Sequence, residues 1–287
     1  MKTIIIKEKQ DCKKIVNVLL EEFDRASSST IYKALRQKDI KVNGARIREN
    51  VTVSLGDIVE VYIDDKYLMP TIKLDIVYED ENVLVLNKPK GVEVITKKGI
   101  SLTQAIQASS PTLPEGFPYP CHRLDRNTTG LVMFAKNKEA LSILNKKLNA
   151  GEIQKIYRCT VVGILSTKQA TLKDYLFKDA KKSIVYVSST KKDGYQEIIT
   201  SYRVISENAK DNLSTLEVEL HTGRTHQIRA HLAFIGHPIL GDGKYGSNTT
   251  NKKFKKRTQE LCAFQLNFNF TSDAGILNYL NGKKIKL

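Results

Sequence analysis

One short stretch of the chain, residues 122–130, has residue types and spacing that could do chemistry. It places a carboxylate, Asp125, between two guanidinium groups at Arg123 and Arg126. A turn-forming Asn-Thr-Thr-Gly follows and leads into an apolar strand predicted over residues 131–135. A carboxylate kept ionised in a basic pocket suits an enzyme that acts on a polyanion. The charge pattern fits a surface salt-bridge turn equally well, and such a turn would contribute little stability.

The overall charge favours a nucleic-acid partner. The 287 residues include 46 Lys and Arg against 31 Asp and Glu, which gives a formal net charge of +15. An excess this large indicates binding to nucleic acid or to an anionic membrane surface, although a lysine-rich proteome would give the same excess without either partner. The hydrophobic fraction of 41% and the charged fraction of 27% are those of a globular protein, and the length allows two domains.

The sequence predicts a cytoplasmic protein without a membrane span. No stretch reaches the roughly 18 apolar residues that a span needs, and residues 1–8 become charged too soon for a signal peptide. The cysteines lie far apart without a Cys-x-x-Cys pair, which is typical of reduced thiols rather than of disulfides or a zinc site. They are Cys12, Cys121, Cys159 and Cys262.

The first sixty residues predict a small domain of two helices and a hairpin. Apolar spacing over residues 13–23 indicates a helix, and the Ser and Thr residues at 27–30 can cap a second one. Asn43-Gly44 between alternating apolar residues is a strong hairpin signal. Basic residues on these elements are candidates for gripping RNA phosphates, although a solvated helix face would carry the same charges. They are Arg36, Lys41 and Arg46.

The next part of the chain predicts a rigid loop and a series of strands. Residues 76–86 read as a hairpin, and Asn87-Lys88-Pro89-Lys90-Gly91 follows directly. The Pro and Gly in this segment force a sharp loop that presents Lys88 at the end of a buried strand. Further along, Asn137 can cap a helix that runs to about residue 148. Residues 155–163 and 170–220 have the pattern of strands.

A second charged cluster lies at residues 221–232. Gly223 permits a tight turn into a helix, and Thr225 is the predicted N-cap of that helix. Arg229 lies beside the apolar stripe of the same helix, so its guanidinium must find an anionic partner or reach solvent. Asp125 is the candidate partner.

The histidine spacing argues against a metal site. Four of the five histidines fall between His221 and His237. His226 and His231 are five positions apart, roughly 140° around a helix, whereas ligand pairs need a spacing of three or four. The sequence also lacks a nucleophile elbow, a glycine-rich phosphate loop and a dinucleotide-binding fingerprint. We therefore expect neither a metal nor an organic cofactor.

Four motifs in order resemble those of the RluA-like family of pseudouridine synthases. They are Asn87-Lys88-Pro89-x-Gly91, His122-Arg123-Leu124-Asp125-x-x-Thr128-Thr129-Gly130-Leu131, Lys155-Ile156-Tyr157 and Gly223-Arg224-Thr225-His226-Gln227-Ile228-Arg229. The chain departs from the family at Leu261-Cys262-Ala263, where the family often has Leu-His-Ala. Residues 13–64 resemble the RNA-binding domain of ribosomal protein S four, although its usual Arg-Leu-Asp start is replaced by Lys14-Ile15-Val16.

The resemblance implies isomerisation of uridine within RNA, without cofactor or metal. The carbon–nitrogen glycosidic bond is cut, uracil turns in place, and its carbon five joins the ribose. Asp125 is then the essential carboxylate, which attacks the sugar or the base or takes a ribose proton. Because the base must be flipped out of its helix, Arg123 is expected to fill the vacated space or to hold the extruded backbone. Tyr157 would stack on the freed base, and Arg229 would keep Asp125 ionised.

Other residues are predicted to contact the RNA. Lys88 and Lys155 belong to the matched motifs, and Leu261 is expected to line the uracil pocket. The run at residues 252–257 packs five cations into six positions. It would hold RNA phosphates or form only a solvated loop, and the sequence supports both interpretations equally.

These observations together predict a two-domain α+β protein that modifies RNA. The predicted divisions are an RNA-binding domain at 13–64, a linker at 65–74 and a catalytic domain at 75–287, built on a mixed, mainly antiparallel sheet. We expect a cytoplasmic monomer that isomerises uridine in ribosomal RNA, with transfer RNA as a second possible substrate. Two rivals are a non-catalytic RNA-binding or ribosome-assembly factor on the same fold and a phosphate-directed RNA hydrolase. The lack of metal ligands weighs against the hydrolase.

Overall fold

The computed structural model describes residues 1–23, 26–64, 72–96, 101–110 and 112–287. The chain forms two compact units, one of residues 1–73 with 96–100 and the other of residues 74–95 with 101–287. Most of the predicted linker at 65–74 lies outside the described residues, and the predicted domain limits remain predictions.

Over its described residues, the first unit is a four-stranded antiparallel sheet with two α-helices. Its elements are β1 (Lys2–Ile5), a 3-10 helix (Glu8–Gln10), α1 (Ile15–Glu22), α2 (Ser28–Gln37), β2 (Ile40–Val42), β3 (Ala45–Arg46) and β4 (Ile58–Val61). The strand order is β1-β4-β2-β3. The apolar sides of both helices pack with the sheet in one buried cluster that includes Ile15, Leu19, Ile31, Leu35 and Val59.

Two local signals in this unit work as predicted. The Ser27 hydroxyl accepts the backbone N–H of Thr30 at 3.2 Å and so caps α2. Asn43 and Gly44 both have positive φ, 51° and 80°, and join β2 to β3 in a tight turn. The predicted hairpin is therefore confirmed, because Asn and Gly tolerate this left-handed conformation.

The second unit is built on one large sheet. Its strands are β5 (Ile76–Glu79), β6 (Val83–Lys88), β7 (Tyr119–Pro120), β8 (Thr129–Ala135), β9 (Ile153–Val162), β10 (Gln169–Asp179), β11 (Ile184–Ser188), β12 (Gln196–Asn208), β13 (Leu213–Leu220), β14 (Leu261–Phe268) and β15 (Lys284–Lys286). The main order is β11-β10-β12-β13-β9-β14-β8-β6-β5, with β15 on β14 and β7 on β8. Among the described strands only β8 and β14 pair in parallel. The predicted α+β class with a mixed, mainly antiparallel sheet is confirmed.

In the part of the chain that the structure describes, four α-helices accompany this sheet. They are α3 (Leu102–Ser109), α4 (Lys138–Asn149), α5 (Gln227–Phe234) and α6 (Asn248–Lys253), with a further 3-10 helix at Gly275–Leu280. The Asn137 side chain accepts the backbone N–H of Ala140 at 2.9 Å, so the predicted cap of α4 is confirmed. Leu144 of α4 packs on Leu131 and Met133 of β8 in a buried cluster. The strand that follows the Asp125 loop is therefore held firmly by the core.

The parallel junction of β8 and β14 requires a glycine. Gly130 lies opposite Ala263 with φ of +105°. A Cβ at this position would lie 2.6 Å from the backbone nitrogen of Ala263 and closer still to its carbonyl oxygen. Only glycine allows the two backbones to approach this closely. This junction joins two segments that contribute to the site described below.

We predict that Gly130→Ala destabilises the protein by about 3 kcal/mol, because left-handed strain and backbone overlap add. Gly151→Ala is the matched control, since Gly151 also has positive φ, +74°, but open space around it. That variant should lose about 1 kcal/mol from strain alone. Urea unfolding of both variants measures the difference, and equal unfolding midpoints would contradict the packing argument.

Candidate active site

Asp125 lies in the loop between β7 and β8. The backbone N–H of Thr128 donates to the Asp125 carbonyl at 3.1 Å and closes a turn just before β8. Its neighbour Leu124 is buried, whereas the Asp125 side chain keeps about one fifth of its surface exposed, at 21%. The backbone is thus anchored on both sides of a carboxylate that a substrate can still reach.

Arg229 of α5 binds two carboxylates at once. Its Nη1 donates to Asp125 Oδ2 at 2.9 Å, so the predicted contact between these residues is present. Its Nε and Nη2 donate to Asp242 Oδ2 and Oδ1 at 2.6 and 2.9 Å. Asp242 was not among the site residues predicted from the sequence. The available signal was its position between two glycines, Gly241 and Gly243, which is typical of a tight turn.

Opposing effects set the pKa values of this ion cluster. Burial alone would raise the pKa of Asp242, but the hydrogen bonds and charge of Arg229 lower it below its usual value. Burial alone would lower the pKa of Arg229, yet the two carboxylates raise it above normal. Asp242 and Arg229 therefore form a fully ionised pair inside the protein.

The start of α5 differs from the prediction. The N-cap is His226, in a left-handed conformation with φ of 55°, and not Thr225. The turn is fastened instead by the Gln227 side chain, whose Oε1 accepts the Arg224 backbone N–H at 3.0 Å and the Thr222 hydroxyl at 2.9 Å. The Gln227 side chain therefore fastens the turn before the helix and does not cap the free N–H groups of its first turn.

A cavity of about 520 Å³ opens beside Asp125. It is lined by the predicted site residues Arg123, Asp125, Lys155, Tyr157, Arg229 and Leu261, among others. Tyr157 lies on β9 and pairs with Ala263 of β14, so Leu261 stands two residues away on the neighbouring strand. All the lining residues belong to the second unit. A concave site with apolar walls and a few converging charges is typical of a binding pocket.

Burial and charge fix the protonation states around the cavity. Burial and the charge of Asp125 raise the pKa of Tyr157, so its phenol stays protonated at neutral pH. Burial also lowers the pKa of Lys155. His122 has its pKa lowered to about 3 by burial and by the charge of Lys155. Its Nε2 accepts the backbone N–H of Met133 at 3.1 Å, which ties the Asp125 loop to β8.

The structure places Lys88 differently from the prediction. Its side chain is fully buried, and Nζ donates to the carbonyls of Pro89, Val92 and Arg126 at 2.9, 2.8 and 3.0 Å. An ammonium has only three donors, so none is left for RNA in this conformation. The side chain instead joins the loop after β6 to the Asp125 loop, which is a positioning role.

A second cavity, of about 680 Å³, also borders Asp125 and Arg123. Its other cations are Arg126, Lys178, Lys244, Arg229 and Arg257, against the carboxylates of Glu93 and Asp125. The basic run at residues 252–257 thus reaches this cavity through Arg257. Lys256 of the same run pairs with Glu260 at 3.0 Å instead.

The three predicted RNA contacts of the first unit lie on its surface. Lys41 Nζ and the Arg46 guanidinium lie 5.1 and 5.9 Å from the centroid of the Tyr62 ring. Arg46 also donates to the Lys38 carbonyl at 2.6 Å, and Arg36 is exposed on α2. Two cations around one aromatic ring suit RNA, but their contact with RNA remains a prediction.

Two structural features concern metal binding and membrane spanning. Within the described residues, no group of three or more His, Cys, Asp or Glu side chains is arranged to hold a metal ion. Over the same part of the chain, no helix is both long and apolar enough to cross a membrane.

The sequence that forms this fold and site matches one family of RNA-modifying enzymes. The profile of the RNA pseudouridylate synthase family matches residues 82–234, more than half of the chain. The chain belongs to this family, whose members are isomerases that convert uridine in RNA to pseudouridine. This confirms the resemblance to RluA-like enzymes and the predicted reaction.

The names of two sequence relatives and of one solved structure all refer to pseudouridine or pseudouridylate synthases. The RNA pseudouridine synthase YhcT of Bacillus subtilis is 33% identical over 262 residues, covering 86% of this chain and 83% of the relative. Ribosomal large subunit pseudouridine synthase C of Haemophilus influenzae is 31% identical over 277 residues, covering 91% and 83%. The structure of human RNA pseudouridylate synthase domain containing 1 covers 71% of this chain and 82% of its own, with a TM-score of 0.60 and 22% identity. That likeness shows a shared fold.

We predict that Lys88 makes stability depend on pH above neutrality. Burial lowers its pKa from 10.5 to about 8, against the opposing charges of Asp125 and Glu93. The unfolded chain therefore binds more protons than the folded one between these values, and stability must rise as pH increases from 8 to 10.5. The effect is read as the difference in urea-unfolding free energy between the wild type and Lys88→Met. A difference that stays constant across this pH range would contradict the prediction.

Proposed function

We propose that this enzyme isomerises uridine in ribosomal RNA, with Asp125 as its essential carboxylate. The observation that carries the catalytic assignment is the 2.9 Å hydrogen bond from Arg229 to Asp125 inside the cavity lined by Tyr157. The relative from Haemophilus influenzae, named for the large ribosomal subunit, supports the choice of RNA. Transfer RNA is the alternative substrate.

The cavity suits a flipped uridine. Tyr157 and Leu261 are almost fully buried and offer apolar and aromatic surface to a base, which compensates for the few kcal/mol that unstacking costs. Arg123 is exposed and lines both cavities. A guanidinium there can occupy the place that the flipped base leaves or hold its phosphate.

Asp125 then acts on the nucleotide that the cavity holds. Its Oδ2 receives the Arg229 hydrogen bond, and its partial exposure leaves the carboxylate open to substrate. The bond from N1 to C1′ breaks, a bond from C5 to C1′ forms, C5 loses a proton and N1 gains one, so the reaction balances without a co-reactant. Asp125 attacks the sugar or the base or takes a ribose proton, and each route needs its ionised form. Tyr157 stays protonated and serves as a stacking surface.

The first unit supplies further RNA affinity. It carries Arg36, Lys41 and Arg46 on a compact helix-and-hairpin scaffold resembling the RNA-binding domain of ribosomal protein S four. Contacts of this type bind phosphates and position the enzyme without reading sequence. The enzyme acts as a cytoplasmic monomer.

Asp125→Asn should abolish turnover while leaving the fold and RNA affinity intact. The amide has the same shape but no negative charge, so it is neither a base nor a nucleophile. Release of tritium from RNA labelled at uracil carbon five measures turnover, and filter binding measures affinity. Clear isomerisation by a pure sample of the variant would refute the role of Asp125. A wild type that binds RNA but releases no tritium would favour the non-catalytic rival.

The target is found by mapping pseudouridines across ribosomal and transfer RNA with carbodiimide labelling and reverse-transcription stops. Cells lacking the protein are compared with the same cells given the wild type or Asp125→Asn. Stops that disappear in the deletion and return only with the wild type identify the uridine. Stops restored only in transfer RNA would overturn the ribosomal assignment.

Arg257→Ala should weaken RNA binding and flatten its salt dependence. Arg257 is exposed, lines the second cavity and pairs with no carboxylate in the part of the chain that the structure describes. The loss of one phosphate contact lowers the log–log salt slope by roughly 0.7 for single-stranded RNA. Lys210→Ala removes an exposed cation in the turn between β12 and β13 and is the matched control. Identical slopes in the two variants would remove the 252–257 run from the interface.

A further inference from the structure

The buried carboxylate of Asp242 controls how Arg229 meets Asp125. Asp242 is 0% exposed, and it binds the Nε and Nη2 side of the guanidinium. These two parallel hydrogen bonds fix the plane and rotation of the group. Only Nη1 is left to reach Asp125, at 2.9 Å. The direction of the single hydrogen bond to the catalytic carboxylate is therefore set by the residue on the other side.

Asp242 is itself held firmly. Its Oδ1 accepts the backbone N–H groups of Lys244 and Tyr245 at 2.9 and 3.2 Å. Asn251 of α6 donates to the Asp242 carbonyl at 3.1 Å and accepts the Gly241 N–H at 2.7 Å. The turn that carries Asp242 is thus locked from two sides, which is what a group that orients another group needs.

The charges around Arg229 do not cancel. One guanidinium serves two carboxylates, and the Tyr245 ring lies 5.3 Å from its centre. His226 Nε2 is 3.9 Å from Asp125 Oδ2, and burial lowers the pKa of His226, which favours its neutral form. Because Asp242 takes two of the three hydrogen bonds, Asp125 is only partly neutralised and keeps its reactivity.

We propose that Asp242 is a positioning residue for catalysis, which orients Arg229 and shares its charge so that Asp125 stays aligned and reactive. The inference rests on the proposed role of Asp125 and deepens it. Asp242 does not touch the substrate; it acts through Arg229.

The test compares single-turnover kinetics of wild type and Asp242→Asn on an RNA that the wild type modifies. The maximal rate should fall by about 100-fold, because a small misplacement of a catalytic group has that effect, while RNA affinity stays unchanged. The acid limb of the rate profile should also move to lower pH, because the guanidinium charge is no longer shared with a second carboxylate. The other charged or titratable groups facing this cluster, His226, Tyr245, Lys244 and Lys88, are the same in both proteins.

Asp174→Asn is the matched control, because Asp174 of β10 binds a residue of the same helix. Asp174 accepts from His231 Nε2 at 2.9 Å, and His231 Nδ1 bonds Thr200 at 2.9 Å, so another buried ionisable pair anchors α5. Its loss should lower thermal stability but leave the rate and the acid limb as in the wild type. Equal effects of the two variants would reduce Asp242 to a structural role and overturn the proposal.

Two further variants keep the test decisive. Asp242→Glu retains the charge and should recover part of the rate that Asp242→Asn loses. If neither folds, Asn251→Ala loosens the Asp242 turn without changing any charge and should lower the maximal rate with RNA affinity kept. A wild-type maximal rate in folded Asp242→Asn overturns the inference. If Asp242→Asn and Asp242→Glu do not fold, a wild-type maximal rate in Asn251→Ala overturns it instead. Loss of turnover in Asp125→Asn would still support the proposed function, whereas an inactive wild type would overturn both.

Discussion

The buried guanidinium of Arg229 is the charge on which the rest of the site depends. Removing an ion from water costs several kcal/mol, and a protein recovers this only with well-aligned partners. Arg229 has three charge-assisted hydrogen bonds of 2.6 to 2.9 Å to two carboxylates. The turn at residues 241–246, the α5 helix and the Asp125 loop must therefore meet at one point, because any of them moving away would leave a charge unpaired.

The large sheet brings the strands that carry or precede other site residues next to one another. Tyr157 comes from β9, Leu261 from the start of β14, and Asp125 from the loop that enters β8, and these three strands are neighbours in the sheet. Two buried polar side chains fasten the loops that the sheet does not hold. Lys88 joins the loop after β6 to the Asp125 loop through the carbonyls of Pro89, Val92 and Arg126, and Gln227 fastens the turn before α5. The site residues on strands are therefore held by the sheet, and those on loops are held by buried side-chain hydrogen bonds.

Local signals in the sequence predicted local structure well. Ser27 and Asn137 cap helices as expected, and Asn43-Gly44 forms its hairpin, because a cap or a tight turn is decided by a few adjacent residues. The contact between Arg229 and Asp125 could also be anticipated, since a guanidinium on an apolar stripe needs an anion. The fold class followed from strand patterns and family resemblance together.

The failures have two physical causes. Asp242 was missed and Lys88 was assigned to RNA because burial of a charged residue depends on partners far along the chain. No spacing pattern shows that Lys88 will meet the carbonyl of Arg126, or that Asp242 will meet Arg229. Thr225 was chosen as a cap on type and position, but the helix begins one residue later, after a left-handed His226, and Gln227 fastens the preceding turn through Thr222 and Arg224. Tertiary hydrogen bonds decided the positions of Lys88 and Asp242, whereas a local side-chain contact decided the start of α5.

The position of β14 has a consequence for the order in which the protein becomes active. This strand lies between β9 and β8, and it pairs Cys262 with Thr129 and Ala263 with Gly130, residues that are far apart in the chain. Pairings between residues far apart in the chain form late in folding, because closing a long loop costs conformational entropy before the contact is made. On the ribosome, the basic first unit emerges long before residue 261 does. The first unit, for which we propose RNA contacts, is therefore made well before the cavity, which is complete only when β14 has been made.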